Sequence, residues 1–248
     1  MTILFLTLGS FASWLISTVA GGGTPLIMIP LIGCFLGSGA IAPVLTIVML
    51  CGHPQRLLLY WKYIEWRIMW WYLPGAVVGA IVGAIAYTKV QLEWLPILLA
   101  VFLIASTFSY SSTSEFSKPP FQVRRWYFLP SGFVFALLSG IIGSTGPMLN
   151  PLYLNYGLTK EKLIGTKSAH LLIVHVVKII TYSLCGVINP VFVGYGLIMG
   201  LAAFPGNWIG QKVLTQISEQ KFQKLLVSFV FLSSILIFWE QRQLFVFW

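Results

Sequence analysis

Two eight-residue stretches of the chain carry the same three polar side chains at the same spacing. Residues 53–60 read HPQRLLLY and residues 175–182 read HVVKIITY, so each has a histidine, a cation three positions later and a tyrosine seven positions later. On a helix these positions share one face. Histidine can carry a proton near neutral pH, and a cation attracts anions. The pattern predicts one polar face per copy, suited to anions and protons.

The repetition extends beyond these stretches. The same offset of 122 residues, in a chain of 248, relates three further pairs: Gly21 and Gly143, Pro25 and Pro147, and Thr46 and Ser168. We interpret the chain as a duplicated unit.

Membrane-spanning helices must position these residues. The chain is 58% hydrophobic and 8% charged, whereas a soluble domain is about 25% charged. Apolar runs near the roughly 20 residues that cross a bilayer recur along its length. We therefore attribute the net charge of +9 to basic residues in cytoplasmic loops. No nucleic-acid partner is expected.

Each half begins with an apolar stretch that glycine and proline interrupt. Residues 3–20 run into GGGTP at 21–25, and residues 128–142 run into GSTGP at 143–147. Neither glycine nor proline continues a helix comfortably. Matching interruptions in two halves of a transporter indicate its central site.

Three predicted spans follow each interruption: 42–63, 66–87 and 90–110 in the first half, and 162–184, 190–213 and 221–240 in the second. We predict an all-α polytopic membrane protein with two inverted-topology repeats, residues 1–110 and 126–248. Each repeat is a re-entrant or broken-helix hairpin plus three transmembrane helices, and residues 111–125 are a cytoplasmic linker. Gly75, Gly79 and Gly83 predict a closely packed helix face.

The distribution of basic residues gives the orientation. With three crossings per half, eleven cations fall on one side and two, Lys89 and Arg242, on the other. The larger set is Arg56, Lys62, Arg67, Lys118, Arg124, Arg125, Lys160, Lys162, Lys212, Lys221 and Lys224. Basic loops are cytoplasmic, so we expect the cell (inner) membrane with the linker inside. If each hairpin crossed the membrane fully, the two halves would have the same orientation, and the basic residues would no longer collect on one side.

Ionisable side chains within spans are the candidates for coupling or for attracting an anion. Each costs roughly 2.5–3.5 kcal/mol on insertion scales. They are His53, Arg56, His170, His175 and Lys178, together with Lys167. Glu65 and Glu161 lie near span ends and could neutralise one cation each. Alternatively, Arg56 and Lys178 snorkel to an interface and the histidines are satisfied core residues.

The interruptions supply candidate substrate contacts. Backbone N–H groups and hydroxyls at a broken helix can donate to an anion. The predicted substrate-binding residues are Gly21, Gly22, Gly23, Thr24, Ser144, Thr145, Gly146, Asn150, Lys167 and Ser168.

Three short motifs, in this order and spacing, resemble the TauE/SafE sulfite exporter family. They are GGGTP at 21–25, YIEWR at 63–67 and GTKS at 165–168, and the resemblance covers nearly the whole chain. It implies a carrier of small sulfur-containing anions such as sulfite, thiosulfate, sulfoacetate and related organosulfonates. Lys167 departs from the small residue often found there, which leaves the substrate open.

The leading hypothesis is a secondary transporter working by alternating access, with proton coupling through the histidines. The alternative is an anion-selective channel with a basic pore. No P-loop is present, so ATP hydrolysis by this chain is not expected. A third hypothesis, an intramembrane enzyme with histidine as general base, is not expected, because it lacks a matched acid and an evident nucleophile. No cofactor is expected, and no metal, because His53 and His175 have no acidic or cysteine partner at ligand spacing. The expected partners are a small anion and the bilayer; a homodimer is left open.

Overall fold

The computed structural model describes residues 1–89 and 123–240, and all regular secondary structure in them is helical. Four helices precede the gap: α1 Thr2–Val19, α2 Thr24–Leu36, α3 Ile41–Leu59 and α4 Trp66–Tyr87. Six follow it: α5 Phe128–Ile142, α6 Asn150–Asn155, α7 Lys160–Leu184, α8 Pro190–Leu201, α9 Ala203–Gln216 and α10 Glu219–Glu240. The predicted span 90–110 and nearly all of the linker lie outside the described residues.

The predicted all-helical membrane architecture is confirmed. Among the described residues, six stretches are long and apolar enough to cross a membrane: 2–19, 38–59, 66–87, 125–142, 160–184 and 190–216. Helix α10 covers the predicted span 221–240 without being one of these six.

The predicted span 190–213 is divided into two helices. Helix α8 ends at Leu201 and α9 begins at Ala203. Pro205 has no backbone N–H, so the carbonyl of Leu201, four residues earlier, loses the donor that a continuous helix would give it. Asn189 fixes the start of α8, where its Oδ1 accepts from the backbone N–H of Phe192 at 2.9 Å.

Glycines end the first helix of each half inside the protein. Gly21, Gly22 and Gly23 have φ angles of 71°, 130° and 119°, in the region that residues with a Cβ rarely adopt. Gly143 follows α5 with φ 103°. The second interruption then forms a 3₁₀ turn over 146–149, and the six-residue helix α6 follows it directly.

The glycine-spaced face of α4 packs directly on α5, as predicted. A Cβ at Gly75, Gly79 or Gly83 would overlap the backbone carbonyl oxygens of α5. The partner carbonyls are also four residues apart, at Leu129, Phe133 and Leu137. This is close small-residue packing of two helix backbones.

The hydrophobic core has two main parts, and each combines helices from both halves. In one part, α1, α2 and α3 pack with Met199 and Ala203 of α8 and α9. In the other, α5, α6 and α7 pack with Ile68, Tyr72 and Ala76 of α4. Helices α3 and α7, which carry the two repeated stretches, pack against each other between them.

Candidate functional site

The first interruption brings a buried hydroxyl to the start of α2. Gly23 precedes the first turn of α2 in the left-handed region, and Thr24 is the first helical residue. Thr24 is 2% exposed, and its Oγ1 has no hydrogen-bond partner among the residues the structure describes. A buried hydroxyl without a partner is uncommon and needs an explanation.

Lys167 joins the two interruptions. Its Nζ donates to the carbonyl oxygen of Gly21 at 2.5 Å and to Oδ1 of Asn150 at 2.6 Å. The ammonium also lies so close to Gly22 that a Cβ on that residue would overlap it. Asn150 is the first residue of α6, at the end of the second interruption. Two breaks that are far apart in sequence therefore meet at one buried cation.

Two of these groups keep unused donor capacity. The Nδ2 amide group of Asn150 makes no hydrogen bond within residues 1–89 and 123–240. An ammonium has three N–H donors, and Lys167 donates to two oxygens. Asn150 and Lys167 thus bind each other, and each retains an N–H donor that this contact does not use.

The remaining residues of the second interruption are buried. Thr145 Oγ1 donates to the carbonyl oxygen of Phe135 at 2.8 Å, so this hydroxyl is used in holding the turn. Ser144 is 5% exposed, and its Oγ is without a partner in the described part of the chain. Gly146 and Ser168 are buried as well. Of the hydroxyls of Ser144 and Thr145, only that of Ser144 is therefore still available to donate to a ligand.

The two histidines of the repeated stretches stack on each other. The rings of His53 and His175 lie 5.7 Å apart between centroids, with 21° between their planes. Trp14 packs edge-on against His53 at 5.5 Å. All four ring nitrogens of the pair are buried and have no partner among the described residues. The pair can therefore exchange a proton or accept a polar ligand without first breaking a protein hydrogen bond.

Arg56 is held by a buried polar network on α1 and α9. Its Nε donates to Oδ1 of Asn207 at 2.7 Å, and Nη2 donates to Oγ1 of Thr18 at 2.7 Å and to the carbonyl oxygen of Trp14 at 3.0 Å. The guanidinium carbon lies 4.5 Å from the centroid of the Trp14 ring. Arg56 is 2% exposed, so it does not reach an interface as the snorkelling alternative requires.

Asn207 and Thr18 were not among the residues predicted from sequence. Asn207 uses its whole amide, because Nδ2 also donates to the Gly52 carbonyl and to Gln55 Oε1, both at 3.1 Å. The sequence did carry one signal for Asn207, namely an asparagine within a predicted membrane span. The repeat does not mark this asparagine, because the equivalent position of the first half is Ile85.

Lys178 binds the end of α5 in its own half. Its Nζ donates to the carbonyl oxygen of Gly143 at 2.5 Å and approaches Ser139 Oγ at 3.4 Å. The ring of Tyr182 lies 5.7 Å away, and the Tyr182 hydroxyl donates to the carbonyl of Gly140. Lys178 is 0% exposed. The last carbonyls of a helix carry partial negative charge, so this ammonium stabilises the broken end of α5.

His170 lies apart from the histidine pair, in aromatic surroundings. Its Nδ1 is 2.5 Å from the hydroxyl of Tyr153. The Tyr72 ring stacks on it at 4.0 Å with 8° between the planes, and Phe128 lies 6.1 Å away. His170 is thus packed among aromatic rings and bonded through Nδ1, while its Nε2 is buried without a partner among the described residues.

The buried cations have no carboxylate partner in the described residues. Glu161 pairs with Lys160 at 3.6 Å, and both are partly exposed. The backbone N–H of Glu65 donates to Thr166 Oγ1 at 3.0 Å, and the structure pairs its carboxylate with none of the three cations. The expectation that Glu65 and Glu161 neutralise buried cations is not supported. Arg56, Lys167 and Lys178 are compensated by carbonyl, amide and hydroxyl dipoles.

A family model described as Sulfite exporter TauE/SafE matches residues 5–237. No curated protein matches the chain, and no solved structure matches it.

Proposed function

Because the chain belongs to the TauE/SafE sulfite exporter family, we propose that it is a secondary carrier of a small sulfur-containing anion, bound where the two interruptions meet at Lys167. The family consists of membrane transporters, and the six apolar stretches fit an integral multi-pass protein. Sulfite, thiosulfate, sulfoacetate and related organosulfonates are the proposed substrates.

One observation carries the proposal: Lys167 contacts both interruptions, and each interruption also carries buried donors without partners in the described residues. Asn150 Nδ2, Thr24 Oγ1 and Ser144 Oγ are buried without partners in the described residues. Leaving a buried polar group unpaired costs about 1–3 kcal/mol. Sulfur oxyanions have several acceptor oxygens, so one bound anion would satisfy more than one of these donors. The absence of a carboxylate beside Lys167 among these residues leaves the local charge favourable for an anion.

We propose that the two halves are inverted repeats that move relative to each other around this site. In support, each of the following helix contacts has a counterpart formed by the equivalent helices of the other half. Helix α4 packs on α5, and the matching α9 packs on α1; α4 packs on α7, and the matching α8 packs on α3. Inverted repeats of this kind provide two access states around a fixed site. The orientation with basic loops in the cytoplasm, in the inner membrane, is part of the same proposal.

We further propose that the His53–His175 pair carries a coupled proton. Arg56 lies one helical turn from His53 on α3, and Lys178 lies one turn from His175 on α7. These cations oppose a positive charge on the pair, whereas a bound anion favours it. Anion and proton would then promote each other's binding, as reciprocal linkage requires.

Flux into proteoliposomes tests the carrier. Sulfite, thiosulfate and sulfoacetate are supplied outside, and saturable uptake of at least one is expected. K167A should raise KM by about tenfold or more, because it removes a charge-assisted hydrogen bond from the site. K62A is the matched control, since Lys62 is exposed. No saturable uptake of any of these anions contradicts the proposal, and unitary currents in a planar bilayer would indicate a basic anion channel instead.

A further inference from the structure

Helix α6 is too short to keep its orientation without contacts to neighbouring helices. It has six residues, Asn150–Asn155, whereas isolated helices below about 12 residues are marginal. Contacts with neighbouring helices must therefore fix how it presents Asn150. This matters for the proposed site, because rotation of α6 would move the Asn150 amide away from Lys167.

Two side-chain contacts fix α6 on α7, one helical turn apart. Asn150 Oδ1 accepts from Lys167 Nζ at 2.6 Å, and the Tyr153 hydroxyl lies 2.5 Å from Nδ1 of His170. Residues three apart share a helix face, so Asn150 and Tyr153 lie on one face of α6. Lys167 and His170 are likewise three apart on α7.

The second contact is rigid and shielded. Tyr153 and His170 are both 0% exposed. The Tyr72 ring of α4 covers the imidazole at 4.0 Å, nearly parallel to it, and Phe128 contacts Tyr153 at 5.7 Å. The rings of Tyr72, Phe128 and Tyr153, which lie against His170, are uncharged. This contact offers an anion no free charge, and it is well suited to hold a backbone in place.

We propose that Tyr153 and His170 are positioning residues for the anion site: their hydrogen bond sets the rotation of α6, so that Asn150 meets Lys167 with its Nδ2 amide group free. This inference rests on the proposed function for its transport readout. Tyr153 acts through Asn150 and does not touch the anion. His170 is accordingly assigned to positioning and not to attracting the anion.

Conservative and disruptive variants separate positioning from general packing. Y153F and H170L remove the hydrogen bond and keep much of the volume. H170N keeps a polar atom close to the position of Nδ1. Sulfite KM in proteoliposomes should rise about fivefold in Y153F and in H170L, which corresponds to one lost hydrogen bond. H170N should restore most of the affinity. Y195F, on α8, is the matched tyrosine control and should leave KM unchanged.

A double-mutant cycle shows whether Tyr153 acts through Asn150. In an N150A background, Y153F should leave KM unchanged, because the group to be positioned is gone. An equal increase of KM in both backgrounds would overturn the proposal in favour of general packing. So would an H170N variant as impaired as H170L.

A structural readout distinguishes failure of this inference from failure of the proposed function. The distance between Asn150 Oδ1 and Lys167 Nζ is measured in cryo-EM structures of the wild type and Y153F in nanodiscs, which needs no transport. Loss of this contact in Y153F supports positioning even if sulfite is not carried. An unchanged contact overturns it, whatever the flux.

Discussion

The imidazole rings of His53 and His175 stack at 5.7 Å although they belong to different halves of the chain. In the inverted-repeat arrangement proposed above, equivalent residues that meet in this way lie close to the axis relating the two halves. The pair is buried, and its ring nitrogens have no partner in the described residues. If it carries the coupled proton, replacing both histidines should stop proton movement without stopping anion uptake.

H53Q and H175Q should abolish proton movement that accompanies sulfite uptake, because glutamine does not titrate in this range. Uptake itself should persist down the anion gradient. A pH-sensitive dye inside proteoliposomes reports the protons, and radiolabelled sulfite reports the anion. Proton movement unchanged in the double variant H53Q/H175Q would exclude this pair as the carrier. H170N, which changes a histidine outside the pair, should retain proton movement.

N207D should weaken anion uptake through Arg56. The carboxylate would replace the amide whose Oδ1 accepts from Arg56 Nε, and it would neutralise the guanidinium. Gln55 can turn its amide toward the new oxygen, but the Gly52 carbonyl loses its donor. If Arg56 attracts the anion by its field, affinity for sulfite should fall about tenfold, equivalent to 1.4 kcal/mol.

N207S is the comparison for this prediction, because it shortens the side chain without adding charge. Binding is measured by the thermal shift that sulfite produces in detergent. Equal affinities of N207D and N207S would show that the charge of Arg56 does not act on the anion.

G79A should destabilise the protein by about 1–3 kcal/mol, since overpacking forces backbone shifts. The added methyl would overlap the Phe133 carbonyl oxygen at the α4–α5 contact. Thermal unfolding in detergent measures the change. G194A is a matched control in α8, where no atom lies within 4 Å of the added Cβ; it should be neutral or slightly stabilising, as alanine favours helix. Equal melting temperatures would contradict the close packing of α4 on α5.

The G22A substitution should abolish sulfite uptake, and its effect on folding should be smaller. A Cβ here would displace the Lys167 ammonium, and the φ of 130° is unfavourable for alanine. Uptake and melting temperature are measured on the same preparation. G37A, also at positive φ but with open space around its Cβ, controls for backbone strain alone. A G22A protein with normal uptake would remove this interruption from the site.

Sequence alone predicted the features that repeat. The interruptions, the glycine-spaced helix and the His53/His175 pattern all follow from residue types with strong local preferences or from the offset of 122 residues. Asn207 and Tyr153 could not be found this way. Their roles depend on tertiary contacts with Arg56 and His170, and neither lies in a local motif.

Lys167 shows a further limit of reasoning from repeats. Its equivalent in the first half is Leu45. Leu45 lies against Gly143, and Lys167 donates to the carbonyl oxygen of Gly21, the residue equivalent to Gly143, so the two positions keep equivalent neighbours but differ in charge. Sequence singled out Lys167 as an ionisable residue in a span. That its ammonium reaches both interruptions became visible only in the folded chain.

The exchange of helices between the two cores has a consequence for biogenesis. During synthesis, α1 to α4 leave the ribosome before α5 exists, yet the glycine face of α4 is shaped for the α5 backbone. Helix α4 must therefore wait in the lipid, inserted but without this partner, until α5 arrives. A nascent chain stopped before residue 123 would leave that glycine face open to quality-control proteases, and two separately expressed halves should survive only when made together.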